Sequence, residues 1–593
     1  MDPDEPVLSL ASNDFTIPSI PASVNGGNVR VEDEARSADV DDDDDDDDDD
    51  GAARAVQALP EEDEPAEVSS DVLTEVGLTA AAEPPAPSRL GDLHENGESV
   101  EAIEAAVASL AIKQLHNVAS GHTCADIPAE ALQRQPETPS DDTEASTSGS
   151  DEEGAAWHTY PKHFFILSSA GKPIYSYHND EKSLASLTAL ISALISVVQN
   201  QGDTVQHIRS GSTLIVFMLH GPLYFVAVSS VGEPATALKR QLDLLYGQLV
   251  LIVTTGLERI IQRNPSYDVR SLLDGVGGVL SALVSMLRAD ASYLFGAYKP
   301  LPVPAADRSA ITELLMDAVR ASGAVYGLLM ADTYAVAMSR AKQQPALNPD
   351  DLLLLANFVT CNNAYRHGHG EAFSPVCMPH YNSDAFLHAY IHYLDASSGL
   401  YLVLLSGSAE AFHQLSAARL WFEDQASAQG LLSRMRSICP PEHNPASGII
   451  TRSPQPQQLN VLSVENLPRP LGGKFGHTPL WSYAVRFQQM QQAIFSPPCP
   501  LHRTPVGAAR LAASYTQLHS LLHSPAATGR PNKLAWFASS AAVLVATRDR
   551  EMEIYLVCDP LTDKSTALAL IEAMRRHFGD RGILADVALL PPV

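Results

Sequence analysis

The chain has 593 residues and a formal net charge of −32, from 71 acidic and 39 basic side chains, a length that accommodates three or four domains. The acidity is confined: residues 1–155 hold 40 Asp plus Glu against 6 Lys plus Arg, whereas residues 156–593 hold 31 against 33. A remainder so close to neutral argues against sequence-independent nucleic-acid binding, and any lipid contact has to come from local basic patches.

Six cysteines (Cys124, Cys361, Cys377, Cys439, Cys499, Cys558) are scattered without paired spacing, and the amino terminus MDPDEPVLSL lacks both parts of a signal peptide. Position 2 is Asp rather than the Gly that myristoylation needs, and no run approaches transmembrane length. The expectation is a cytosolic chain with reduced thiols, associated with membranes only peripherally.

Residues 1–155, with an Asp run from Asp41 to Asp50 and almost no aromatics, cannot bury enough apolar area to offset the entropy of ordering and read as a disordered regulatory tail. Inside it, Val100, Ile103, Val107 and Leu110 repeat as in a short amphipathic helix, and Thr138 to Glu153 sets hydroxyls before acidic residues as acidophilic kinases accept.

The folded part begins near Trp157. Lys162 to Ser169, a turn at Ala170–Pro173, and Ile174 to Tyr177 read as strand, turn, strand. Then comes EKSLASLTALISALISVVQNQG, Glu181 to Gly202, where Leu184, Leu187, Ile191, Leu194, Ile195 and Val198 form one helical stripe. The opposite stripe carries Ala185, Ala189, Ser192, Ala193 and Ser196, and no charge occurs between Lys182 and Asp203. A helix without a charged side is covered on both sides: one cover is its own sheet, the other a second protein or a later part of this chain. Its apolar part, Leu184 to Val198, is 15 residues, short of the roughly 20 a membrane span needs.

Three strands follow at Val205–Arg209, Thr213–Leu219 and Leu223–Ser229, then helices at Ala235–Gln262 and Val269–Arg288. The order β-β-α-β-β-β-α-α implies an antiparallel sheet with helices on its faces. It returns after a connecting helix (Ala306–Ala321): strands at Ala324–Met330 and Tyr334–Met338, a helix capped by Asn348 with Pro349 in its first turn, strands at Phe373–Met378, Phe386–Leu394 and Leu400–Leu405, and a helix at Ala409–Met435. Cys439 to Pro470 is Pro- and Gln-rich, a linker. A third round has strands at Leu480–Phe487 and Gln491–Phe495, a helix at Pro505–Leu522, strands at Leu534–Ala538, Ala542–Thr547 and Glu553–Cys558, a helix at Asp563–Phe578, and a further strand at Ile583–Leu590. The fold class is therefore α/β in the α+β sense, with units at 157–295, 305–438 and 474–593 and a linker at 439–473.

Motifs of chemistry are missing. Ser169 to Pro173 (SAGKP) lacks the leading glycine and the hydroxyl of a phosphate loop, so Lys172 reads as a hairpin-turn residue, and Gly275–Gly278 does not follow a strand. A calcium loop from Asp46 would place Gln57 where a bidentate Glu belongs, and Cys361, His367, His369, Cys377 and His380 fit no zinc spacing. No catalytic, cofactor or metal residues are assigned.

The blocks KHFFILSSAGKPIYSYHNDE (Lys162–Glu181), GDTVQHIRSGSTLIVFMLHGPLYFVAVSSVGEP (Gly202–Pro234), LKRQLDLLYGQLVLIVT (Leu238–Thr254) and SPVCMPHYNSDAFLHAYIHYLD (Ser374–Asp395) closely resemble the Mon-one family of vacuolar fusion proteins. The likeness runs from Trp157 to about Val593 and leaves the acidic tail unmatched. It implies three longin domains and pairing with a Ccz-one-type longin protein. The pair would act as guanine-nucleotide exchange factor for a late-endosomal Rab-seven-class GTPase, recruited from the cytosol to late endosomes and vacuoles through phosphatidylinositol 3-phosphate and an early-endosomal Rab. The interface residues expected on that basis are Ala185, Ala189, Ser192 and Ser196, with Lys172, Pro173 and Tyr175 on the adjoining hairpin. A longin adaptor or tether that binds a Rab without exchanging its nucleotide is the competing reading.

Overall fold

The computed structural model describes residues 160–178, 181–264, 267, 273, 275–367, 370–438, 459–524 and 532–589, without side-chain environments at 181–187 and 459–460. The Asp run, the 100–115 repeat and the hydroxyl-rich stretch lie outside these residues, as does 439–458 of the linker.

The first unit comprises β1 (Lys162–Ser168), β2 (Pro173–Ser176), α1 (Glu181–Asn200), β3 (His207–Ser210), β4 (Thr213–His220), β5 (Leu223–Ser229), α2 (Ala235–Val253), α3 (Gly256–Arg263) and α4 (Val276–Ala289). The second comprises α5 (Ala305–Ser322), β6 (Tyr326–Ala331), β7 (Tyr334–Arg340), α6 (Pro349–Cys361), α7 (Asn363–His367), β8 (Ala372–Met378), β9 (Asn382–Asp395), β10 (Leu400–Ser406), α8 (Phe412–Ala428) and α9 (Leu431–Ile438). The third comprises β11 (Leu480–Phe487), β12 (Gln492–Phe495), α10 (Pro505–His523), β13 (Leu534–Ala538), β14 (Val543–Arg548), β15 (Met552–Cys558), α11 (Lys564–Gly579) and α12 (Arg581–Val587). All three sheets are antiparallel and five-stranded, with one order: β2-β1-β5-β4-β3, β7-β6-β10-β9-β8 and β12-β11-β15-β14-β13. The repetition expected from the sequence is a repetition of topology.

Several boundaries differ from the sequence expectation, each for a local reason. The helix expected over Ala235–Gln262 is two, α2 and α3, at 88° to each other, because Thr254 takes φ 58 and ends α2. The helix expected over Ala409–Met435 breaks at Gly430 (φ 66). The expected strand Ile583–Leu590 is instead α12: Asp580 Oδ1 accepts from Gly582 N at 2.8 Å, and Ile583, Leu584 and Val587 fall at helical rather than alternating spacing against the third core. The later part of the expected linker belongs to the third unit, since Leu462, Val464, Leu467 and Leu471 are buried in its core. The cap at Asn348 is present, its Oδ1 accepting from Asp350 N at 2.8 Å.

Each sheet is apolar on both faces, and the helices divide the work across units. One continuous core joins a face of the first sheet, α2 and α4 to α6 and a face of the second sheet, and on to α10 and a face of the third. The outer faces have separate cores: α5 and α8 on the second sheet, α11 and α12 on the third, α1 on the first.

Buried polar ties fix this arrangement. Arg240 Nη1 on α2 donates to Asp350 Oδ2 at 2.7 Å, and Asn357 Nδ2 on α6 donates to Gln248 Oε1 at 2.9 Å and to Val279 O at 3.1 Å. The connection 298–301 bonds two sheet edges at once, with Tyr298 N donating to Gln491 O at 2.7 Å and Leu301 N to Ala335 O at 2.9 Å. Phe295 meets Tyr555 edge-on at 4.9 Å, and the Tyr555 hydroxyl donates to the buried Glu553 at 2.9 Å.

Two predictions follow from this packing. A Cβ on Gly247 would stand 2.8 Å from Leu354 Cδ1, the mobile tip of a side chain. Gly247→Ala is therefore expected to be tolerated, while Gly247→Ile overpacks the α2–α6 contact and lowers stability by about 1–3 kcal/mol in urea titration.

Burial raises the Glu553 carboxyl, but the hydrogen bond and charge of His523, the charge of Arg486 and the bond from Tyr555 outweigh it and bring it from 4.5 down to about 2. A depressed carboxyl stabilises the fold above pH 4.5 and loses that contribution as pH falls from there toward 2. Glu553→Gln is expected to destabilise the chain by on the order of 3 kcal/mol at pH 7, with the gap to the parent narrowing across that acid window. Urea midpoints at pH 7 and pH 3 measure both.

Candidate functional site

The candidate surface grows from α1. Ile191, Leu194 and Ile195 pack on Phe165, Leu167, Ile215, Phe217, Tyr224 and Val226 of the first sheet, with Val205 and Ile208 half-buried at the margin. This fixes the helix by one stripe and turns the other outward. Ala189 and Ser196 are exposed, and Ser192 between them is half-buried. The packing resolved for α1 is with its own sheet and with the β1–β2 turn.

What sits beside it is the β1–β2 turn. Gly171 takes φ 77, a conformation that favours glycine, and its N–H donates to Ser168 O at 2.8 Å. A Cβ there would lie 3.0 Å from Ser192 Oγ, so the turn leans directly on α1. Lys172 at its tip is exposed, and Pro173, which opens β2, is half-buried. Ser196 Oγ is used within the helix, donating to Ser192 O at 2.8 Å.

Five of the seven expected interface residues, Ala189, Ser192, Ser196, Lys172 and Pro173, therefore lie in one neighbourhood of helix and turn. The side chain of Ala185 lies outside the described residues. Tyr175 does not join them. It is buried on the other face of the sheet, its hydroxyl 3.0 Å from Ser281 Oγ on α4, and burial pushes that hydroxyl well above its usual range. Strand register explains this: Tyr175 sits opposite Ile166 and shares the interior core with it, whereas Pro173, past an irregularity in the pairing, sits opposite Leu167, which lies beneath α1. Sequence reasoning also passed over Val205 and Ile208, which read as ordinary strand residues, and the contact of Gly171 on Ser192, whose only signal is the glycine in the turn.

Among the described residues no group of three His, Cys, Asp or Glu could hold a metal. His380 Nδ1 lies 2.7 Å from the buried Asp351 carboxylate, whose hydrogen bond raises the imidazole pKa. Cys377 Sγ donates to Asn382 O at 3.2 Å, and Cys361 Sγ to Phe358 O at 3.4 Å. A cavity of about 30 Å³ between Tyr293, Lys299, Thr333 and Asp350 has room for a water or two, not for a nucleotide.

Comparison with known proteins defines the class first. Three profiles match in order: the first longin domain of FUZ, MON1 and HPS1 over residues 162–283, the second over 322–422 and the third over 488–578. The chain is a three-longin-domain protein. It is 34% identical over 521 residues to the vacuolar fusion protein MON1 homolog of Arabidopsis thaliana, covering 85% of this chain and 81% of that one. It is 32% identical over 441 residues to the homolog of Oryza sativa subsp. japonica, covering 72% and 75%. Homolog A of Homo sapiens is 29% identical over 439 residues, covering 73% and 62%. The chain belongs to the MON1 family of vacuolar fusion proteins.

The geometry of α1 predicts an asymmetry between its stripes. Ala189→Arg places a charge in solvent and is expected to leave the thermal midpoint unchanged. Ile191→Arg buries an unpaired charge under the first sheet and is expected to unfold that unit. Circular dichroism melts of the two variants distinguish them.

Proposed function

We propose that the chain is one subunit of a heterodimeric guanine-nucleotide exchange factor, joined through the outer stripe of α1 to a Ccz-one-type longin protein and acting on a Rab-seven-class GTPase. The observation that carries this reading is a contrast within the chain. In the second and third units the helix between the second and third strands, α6 or α10, is buried in the core shared between units. The same helix of the first unit, α1, keeps its small, uncharged outer stripe exposed at Ala189 and Ser196. Small side chains allow a second helix to approach closely, and the exposed Lys172 gives the margin a polar rim.

Exchange of this kind needs no acid, base or nucleophile on the factor. The joint surface binds the nucleotide-free GTPase more tightly than its GDP-bound form, and by reciprocal linkage nucleotide affinity falls by the same factor. Distorting the GTPase loop that holds magnesium and phosphate is sufficient.

The setting is peripheral to a membrane. No single described helix is long and apolar enough to cross one; α2 with α3 passes by composition only when taken as a bent pair, and α2 is a core helix. Recruitment to late endosomal and vacuolar membranes would go through phosphatidylinositol 3-phosphate and an early-endosomal Rab, in keeping with relatives named for vacuolar fusion.

The test is release of fluorescent GDP from a panel of Rab proteins, with this chain alone, with the co-expressed partner, and with Ala189→Arg in the pair. Acceleration of one Rab of the seven class by the pair, lost together with co-elution in the variant, is the expected result. Tight Rab binding without acceleration would establish a tether instead.

A further inference from the structure

We propose that His519 is an acid-sensitive latch on Phe295: its neutral ring closes the socket in the third unit that receives this residue of the first, and a proton on the ring opens it. The proposal is independent of the exchange reading. Phe295 ends the turn Ala291–Phe295 and is 2% exposed. Its ring meets Phe495 of β12 at 5.2 Å, Tyr555 of β15 at 4.9 Å and His519 of α10 at 5.6 Å, each edge to face. One turn along α10, His523 stacks on His519 at 4.2 Å. The socket thus has three aromatic walls, and one of them can take a proton near neutral pH.

The ring behind His519 is held neutral by its own hydrogen bonds. His523 Nδ1 lies 3.4 Å from Arg548 Nη1, which can only donate, so Nδ1 carries a lone pair and the ring proton sits on Nε2, 3.3 Å from Glu553 Oε2. The carboxylate is then fully used. Its Oε1 faces Arg486 Nη1, Arg548 Nε and Gln488 Nε2 at 3.3, 3.2 and 3.4 Å, and Oε2 accepts from the Tyr555 hydroxyl at 2.9 Å besides His523.

Among the described residues no carboxylate is left for a charged His519. The groups facing the two rings are Arg548 of β14, Glu553 of β15 and Arg486 of β11; Arg240 of α2, paired with Asp350, also opposes a charge on His519. β13 and the turn Ala291–Phe295 carry no charge. Lys239 and Asp243 of α2 are exposed, Arg288 of α4 lies over Tyr177, and His502 ahead of α10 is bonded to Cys499. An imidazolium at position 519 would therefore join two guanidiniums around one committed carboxylate. Burial, and then the charge of His523, bring the His519 ring from 6.5 down to about 3. A ring released to solvent takes its proton near the ordinary value of about 6.5, so the open state binds more protons across that interval and acid favours opening.

The experiment is hydrogen exchange of the full chain at pH 7 and pH 5.5, corrected for the intrinsic pH dependence of amide exchange and read by mass spectrometry on peptides covering Ala291–Phe295. A local readout separates this ring from the other imidazoles of the chain. Protection of the turn is expected to fall about eightfold at the lower pH, the factor by which a ring of ordinary pKa gains protons over one that stays neutral. His519→Phe, which keeps an aromatic wall and cannot titrate, should hold the pH 7 protection and abolish the fall. If it fails to fold, His519→Gln, which cannot titrate either, is judged by the ratio between the two pH values alone. His523→Gln, whose amide can both donate to Glu553 and accept from Arg548, should leave the fall in place. Constant protection in the parent, a fall that survives the loss of the His519 ring, or a fall abolished by His523→Gln overturns the proposal.

Discussion

A sheet that is apolar on both faces has to be covered twice, and all six faces here are covered by helices. Three of them share one core between units. Of the three outer faces, that of the first sheet is covered by α1, whose opposite stripe is uncharged and exposed at Ala189 and Ser196. The polarity of the molecule, interior toward the second and third units and open toward α1, comes from that allocation.

The allocation is held by ties that make the units interdependent. The Arg240–Asp350 pair and the Asn357–Gln248 bond lock α2 to α6, and the 298–301 connection serves two sheets simultaneously. Arg308 donates to Leu301 O and Val336 O, and to Asp586 O in the third unit. Buried donors that satisfy backbone carbonyls from different units leave no cheap way to separate those units, because each would retain unpaired polar groups. The first unit therefore cannot turn α1 inward without breaking the α2–α6 contact.

Much of this was legible in the sequence. Strand pairs showed in the short apolar runs Lys162–Ser169 and Thr213–Leu219 between turn residues, the cap at Asn348–Pro349 was readable residue by residue, and the uncharged stripe of α1 stood out in its periodicity. The misses have physical reasons. A single-residue break at Thr254 depends on φ, which periodicity over a long apolar run cannot reveal. Residues 583–590 are too few to separate a period of two from one of 3.6 by eye. The face chosen by Tyr175 follows from strand register, and the burial of α6 and α10 against other units is a tertiary choice that no local pattern encodes.

The most direct test of the open α1 stripe is the maleimide labelling rate of Ser196→Cys, resolved by peptide mass spectrometry from the native cysteines, in the isolated full chain and in the co-purified pair. Labelling at the rate of an exposed thiol in the isolated chain, slowed at least tenfold in the pair, is the predicted result. Slow labelling in the isolated chain would mean that the chain seals this surface itself, and an unchanged rate in the pair would mean that the partner binds elsewhere; either contradicts the account.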